Sequence, residues 1–193
     1  LLGCDFENKI LHFDREEIKF NKVFGSDGSN SIIRDQIIHN TCASFIHKPL
    51  GHGYKELTMP TSFEGDFLLN SNSLHIWPRG NFMMIALPNP DKTFTLTLFM
   101  PLNGSTSFES LNNEDRIKQF FKTYFEDAYS MIPDLVEEYL ENPVGKLASN
   151  YCSQWHFKDT AVIFGDAAHA IVPFFGQGTV SYTHLRAHET SAY

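Results

Sequence analysis

No run of apolar residues in this chain approaches the ~18 needed to cross a bilayer. Its opening stretch, LLGCDFENK, has neither the basic start nor the apolar centre of a secretory leader. Basic charge is also short: 15 Lys and Arg stand against 23 Asp and Glu, a net charge of -8, which argues against a nucleic-acid-binding surface. Cysteine is scarce. The three present, Cys4, Cys42 and Cys152, are far apart and never form a C-x-x-C pair, so neither a disulfide framework nor a zinc site is suggested, and a reducing compartment fits. Internal repeats, low-complexity tracts and metal-ligand spacings are missing too. So is a G-x-G-x-x-G turn after an apolar strand. GHGYKE (Gly51–Glu56) has two of the glycines but enters a strand rather than a helix, which excludes it as a dinucleotide fingerprint.

What is present suits a globular chain. The 193 residues are 42% hydrophobic and 14% aromatic, enough for one full core or two small ones sharing an interface. Residues 9–13 (KILHF) and 18–24 (IKFNKVF) read as strands. A β-rich middle follows in HGYKELTM (His52–Met59), SLHIW (Ser73–Trp77), NFMMIAL (Asn81–Leu87) and KTFTLTLFM (Lys92–Met100), and the short turns between them favour antiparallel pairing. Over residues 113–126 the period changes. Ile117, Phe120, Phe121, Tyr124 and Phe125 fall on one helical face after an Asn113 cap, and a second helix opens at Pro133; both are expected to cover the sheet. A last strand is read at residues 160–164 (TAVIF).

That strand leads into GDAAHAIVPFFGQG (Gly165–Gly178). Ligands of open α/β sheets lie beyond the carboxyl ends of the strands, which places Asp166 where a ribose or ribityl hydroxyl can donate to its carboxylate. Ala167, Ala168 and Ala170 keep side chains small beside a flat ligand, and Gly176-Gln177-Gly178 lets backbone N–H groups approach an electron-rich ring edge. Plain turn chemistry explains such a stretch equally well. A second stretch, GSDGSNSIIR (Gly25–Arg34), repeats the pattern: Gly25, Asp27 and Gly28 end a strand, and Ser31 and Arg34 open a helix. His169, on an Ala-rich turn, is read as a satisfied structural histidine, as are His52 and His75, and no catalytic acid or base is assigned.

The two stretches together resemble the second and third flavin motifs of the FAD-dependent aromatic hydroxylases, single-component monooxygenases with the p-hydroxybenzoate hydroxylase fold. HGYKELTMP, LHIWPRGNFMMIALPNP and FTLTLFMP resemble the kynurenine 3-monooxygenase branch of that family, and the likeness covers about residues 1–178. The fold class it implies is α/β, here an α+β fragment. Residues 1–40 and 151–178 would be parts of an FAD-binding domain around an antiparallel-sheet substrate domain at 41–150.

By the same resemblance, Asp27, Gly28, Arg34, Asp166, Pro173, Gly176, Gln177 and Gly178 would bind the cofactors, FAD and the co-substrate NADPH. For Arg34 a structural helix ion pair serves as well. The substrate wall would comprise Leu74, Met83, Ile85, Leu87, Thr97, Phe99 and Phe174. Strand period independently puts Met83, Ile85 and Leu87 on one face of their strand and Thr97 and Phe99 on one face of the next, an alternation that a sheet over its own core would also produce. The reaction implied is hydroxylation of L-kynurenine by dioxygen, in tryptophan degradation and NAD biosynthesis. Two alternatives stay open: an aromatic hydroxylase for another substrate, and a flavin-fold piece without activity.

The family's nucleotide-binding strand-turn-helix and its upstream arginine and tyrosine are not found, and the chain opens without methionine, as a fragment would. After Gly178 the family continues with Met-Asn and a long helix, whereas VSYTHLRAHET (Val180–Thr190) matches the translation of a transposase mosaic-end sequencing adapter. Residues 179–193 are therefore expected to be non-native. The resemblance implies cytoplasmic residence for a bacterial source and the mitochondrial outer membrane for a eukaryotic one.

Overall fold

The structure, a computed structural model, describes residues 1–172. The elements in chain order are β1 (Gly3–Asp5), β2 (Ile10–His12), β3 (Glu17–Lys19), β4 (Val23–Gly25), α1 (Ile32–His39), β5 (Phe45–Met59), β6 (His75–Arg79), β7 (Phe82–Pro88), β8 (Phe94–Pro101), α2 (Glu114–Tyr124), α3 (Glu126–Tyr129), α4 (Leu135–Glu141), β9 (Gly145–Cys152), β10 (His156–Phe157), β11 (Ala161–Ile163) and α5 (Asp166–His169). They divide into two compact units. Unit 1 takes Leu1–Leu50 and the chain from Ala148 onward, and unit 2 takes Gly51–Leu147.

Unit 2 is built on period-2 strands. Its sheet has the order β6-β7-β8-β5-β9, to which unit 2 contributes β5 from Gly51 and β9 as far as Leu147; β6–β7, β7–β8 and β5–β8 all pair antiparallel, the first two across short links. Met84, Ala86, Leu96, Leu98 and Leu57 point to one face, where they join Ile117, Phe120 and Phe121 of α2 and Leu135 and Tyr139 of α4 in one large buried cluster. The helix forms where its cap and face require. Asn113 accepts the Arg116 N–H at 3.1 Å, and Ile117, Phe120, Phe121 and Phe125 are buried, while Tyr124 lies at the margin, 38% exposed. The second helix starts at Leu135, two residues beyond Pro133, and the one-turn α3 between the helices escaped the sequence pattern.

α4 and its cap also bond main-chain groups near the end of β5. Thr58 N–H donates to Glu138 Oε2 at 2.6 Å, and Asn142 Nδ2 donates to the Glu56 carbonyl at 2.8 Å. Lys55, buried on the same strand, donates from Nζ to the carbonyls of Tyr139 and Asn142, so a cation sits where the last turn of α4 leaves carbonyls without intrahelical partners. Burial pushes the Lys55 amine below its ordinary range. Gly145 is required where β9 passes β5: a Cβ there would sit against the Tyr54 ring.

Unit 1 has short strands in two small sheets. β1, β2 and β3 form an antiparallel meander, and β10-β11-β4 form the second sheet, in which β4 and β11 run parallel. The single strand expected over 18–24 is thus two strands in different sheets, because the chain bends at Asn21 and Lys22. Its core gathers Cys4, Phe6, Ile33, Ile37, Phe157, Ala161 and Ile163. β5 begins seven residues before the expected start at His52: Lys48, Pro49 and Gly51 interrupt the apolar alternation that marks its second half.

Candidate functional site

Parallel pairing sets the geometry of the first candidate region, in unit 1. Gly25 is in register with Ile163, and Phe164 N–H donates to the Gly25 carbonyl at 3.0 Å, so the turns after β4 and β11 leave the same end of one sheet side by side. Gly25 makes this approach possible, since a Cβ would lie 2.8 Å from Ile163 Cγ2 and 2.9 Å from Ile33 Cβ. The chain then turns at Gly28 (φ 80°) and Gly165 (φ 60°), both in the left-handed region that favours glycine.

Within this rim the predicted residues have different roles. Asp166 opens α5 with an exposed carboxylate that meets no hydrogen-bond donor among the described residues. Asp27 is engaged. Its oxygens accept from Ser31 Oγ at 2.5 Å, Ile32 N–H at 2.8 Å and Ile33 N–H at 3.3 Å, while Ser31 Oγ accepts the Arg34 N–H at 2.9 Å. The first-turn donors of α1 are therefore satisfied from within the chain.

Arg34 is 3% exposed and turns inward. Nη1 donates to the Ser29 carbonyl at 2.8 Å and the Ala167 carbonyl at 3.3 Å, Nη2 reaches Asp35 at 3.2 Å, and the guanidinium lies 3.9 Å over the Phe45 ring. The ion-pair alternative weighed for Arg34 is thus present in the structure. Ala167, Ala168 and Ala170 are buried, with Ala167 and Ala168 in the unit 1 core. His169 differs from expectation: its ring lies 5.2 Å from that of Trp155, but Nε2 is buried and without a partner among the described residues. His52 and His75 do place Nε2 at backbone carbonyls, of Asn81 and Asn70. Pro173, Phe174, Gly176, Gln177 and Gly178 lie outside the described residues.

The second candidate region is the sheet face of unit 2 opposite the helices. Met83 is in register with Phe99 and Ile85 with Thr97, and all four lie on this face with Leu87. Ile85 and Phe99 are buried, Met83 and Thr97 half-buried, and Leu87 exposed. Leu74 precedes β6 and is exposed. Register adds Ile76 beside Ile85, Tyr54 beside Phe99 with ring centroids 6.3 Å apart, and Glu56 beside Thr97. The alternation of HGYKELTM carries the signal for Tyr54 and Glu56. This face offers an apolar bed for a flat ring with hydroxyl and carboxylate groups along β5 and β8.

A cavity of about 430 Å³ runs along α2, lined by Ser110, Leu111, Arg116, Phe120 and Thr123 among others. Arg116 Nη1 donates to the Ser110 carbonyl there. No group of three or more metal-ligating side chains occurs among the described residues, and none of their helices is long and apolar enough to cross a membrane.

No family model matches the chain. Curated relatives do. Kynurenine 3-monooxygenase of Dictyostelium discoideum is 47% identical over 163 residues, covering 84% of this chain and 35% of the relative. That of Legionella pneumophila (strain Corby) is 41% identical over 183 residues, covering 92% and 40%. The chain thus spans well under half the length of the curated relatives it matches.

Among solved structures, the tetrameric form of 2-methyl-3-hydroxypyridine-5-carboxylic acid oxygenase superposes with a TM-score of 0.67 at 18% identity, covering 92% of this chain and 46% of that one. Klebsiella pneumoniae HpxO complexed with FAD and uric acid gives 0.58 at 15%, covering 84% and 40%. The fold is that of the p-hydroxybenzoate-hydroxylase-like FAD monooxygenases.

Proposed function

We propose that this chain, a homologue of the kynurenine 3-monooxygenases over most of its length, is part of an FAD-dependent monooxygenase that converts L-kynurenine to 3-hydroxy-L-kynurenine. NADPH supplies two electrons; one atom of dioxygen enters the ring and the other leaves as water. The observation that carries this reading is the pairing of β4 with β11, which sets two glycine turns side by side at the carboxyl end of a parallel pair, where ligands of open α/β sheets lie in general.

The residues present suit a flavin. Asp166 offers an exposed carboxylate, without a donor among the described residues, for a ribityl hydroxyl, and Gly28 has no heavy atom among them within 4 Å of where a Cβ would stand. Asp27 and Arg34 act on this reading by holding the turn rather than by touching phosphate. When bound, FAD supplies the redox chemistry that no side chain here provides. The chain's own part is to seat the substrate ring against Met83, Ile85, Thr97 and Phe99 and to keep water from it. Pro173, Phe174 and Gly176 to Gly178 are assigned to the flavin and substrate by resemblance.

The test uses the full-length protein that carries this chain. L-kynurenine is expected to accelerate NADPH oxidation with matching formation of 3-hydroxykynurenine, and Phe99→Ala to raise KM for L-kynurenine roughly tenfold, in line with a lost aromatic contact. NADPH oxidation indifferent to L-kynurenine would sink the reading.

A further inference from the structure

One buried side chain is absorbed by none of the roles above. Asn150, in β9, is 1% exposed, and its N–H, Nδ2 and Oδ1 all have partners. Its N–H donates to the Ala170 carbonyl at 3.0 Å, Nδ2 donates to the Ser29 carbonyl at 2.9 Å, and Oδ1 lies 2.8 Å from His47 Nδ1. Because Nδ2 is committed to a carbonyl, Oδ1 is the atom facing His47, and that ring carries its hydrogen on Nδ1.

Ser29 belongs to the turn after β4, and Ala170 follows the helix after β11. Asn150 therefore reaches the first turn with its side chain and the segment just after α5 with its backbone N–H, while Arg34 bonds the Ser29 and Ala167 carbonyls. The Ser29 carbonyl takes a donor from each. An apolar side chain in its place would keep the main-chain bond to Ala170 but would take one of the two donors from the Ser29 carbonyl and the acceptor from His47.

We propose that Asn150 is a positioning residue for the flavin: together with Arg34 it fixes the spacing of the two glycine turns, so that FAD affinity depends on a side chain that does not contact FAD. This rests on the flavin reading above. A buried amide is suited to the task. It holds the Ser29 carbonyl and the His47 ring without adding a charge, and the backbone of β9 that carries it bonds Ala170, so the spacing is referred to a strand and not to a loop.

The experiment compares the full-length protein with its Asn150→Leu and Asn150→Asp variants. FAD is titrated into each apoprotein by flavin fluorescence, and backbone hydrogen exchange is followed separately. Asn150→Leu is expected to raise the FAD Kd about tenfold, to alter the visible circular dichroism of whatever flavin is bound, and to speed exchange at residues 27–31 and 166–170 while β6–β8 exchange at the wild-type rate. Asn150→Asp keeps the size and backbone N–H but loses the donor to Ser29. It should behave alike, and it carries the test if the leucine variant does not fold.

An FAD Kd within twofold of wild type, with unchanged exchange in both turns, overturns the proposal and leaves the flavin reading standing. Wild-type apoprotein that takes up no FAD overturns the flavin reading, and with it the proposed role toward FAD.

Discussion

Each of the two units is stabilised internally by different physics. Unit 2 rests on hydrocarbon: Phe94, Phe121, Phe125, Met84, Leu96 and Leu98 are all fully buried between one sheet face and its helices. Unit 1 has a small core around Phe6, Ile33 and Ile37, and its glycine turns are stitched by polar contacts among Asp27, Ser31 and Arg34 and by the bonds of Arg34 and Asn150 to the Ser29 carbonyl. Apolar burial is tolerant of small shifts and gives stability. A network of directed hydrogen bonds contributes less net free energy but fixes backbone positions, as the proposed flavin site requires.

The sharpest way to break this comparison is to cut the larger core. Phe121→Ala removes a ring packed against Phe120, Phe125 and Tyr139, and should cost about 4 kcal/mol in denaturant unfolding. Hydrogen exchange should show the loss in β7 and β8. An equal loss of protection in β1 and α1 would mean that the units do not unfold separately. Arg34→Met, of similar length but without donors, leaves the Ser29 and Ala167 carbonyls short of partners and should cost about 2 kcal/mol, confined to unit 1 by the same measurement.

Alkaline pH separates the units by another route. Burial, with help from Asp5 and Asp27, pushes the Cys4 thiol from its ordinary value of 9.0 up to about 11. The folded state therefore keeps a proton that the unfolded state gives up in that interval. This contribution is whole below pH 9 and is lost as pH rises from 9 towards 11, on the order of 1 kcal/mol after solvent screening. Cys4→Ala should flatten that limb for unit 1. The unit 2 counterpart, Tyr139, whose hydroxyl burial raises, should keep its own alkaline loss. Smallest is the helix cap: Asn113→Ala should lower unit 2 stability by about 0.5 kcal/mol in a thermal melt, the low end for an exposed cap.

Much of unit 2 was legible because one face of its sheet is dry. Met84 and Ala86 alternate with Met83 and Ile85, Leu96 and Leu98 alternate with Thr97 and Phe99, and the period change at Asn113 marks the covering helix. The two glycine turns were legible for another reason, since Gly25, Gly28 and Gly165 answer local steric demands. What escaped depended on distant partners. β9 carries Lys146, Ser149 and Asn150 and shows no alternation. The first half of β5 is masked by Pro49 and Gly51. A buried asparagine cannot be told from a surface one until Ser29, His47 and Ala170 surround it. For the wall, side-chain period supplied Met83, Ile85 and Thr97, but only strand order brought Tyr54 and Glu56 beside them.

Lys55 leaves a practical handle. With its amine pressed into the end of α4 and covered by the Tyr139 ring, it should resist acylating reagents that modify exposed lysines such as Lys9 and Lys48. Each molecule acylated at position 55 would record a moment when that helix had lifted away, so mass spectrometry of labelled peptides would count those excursions without any engineered probe.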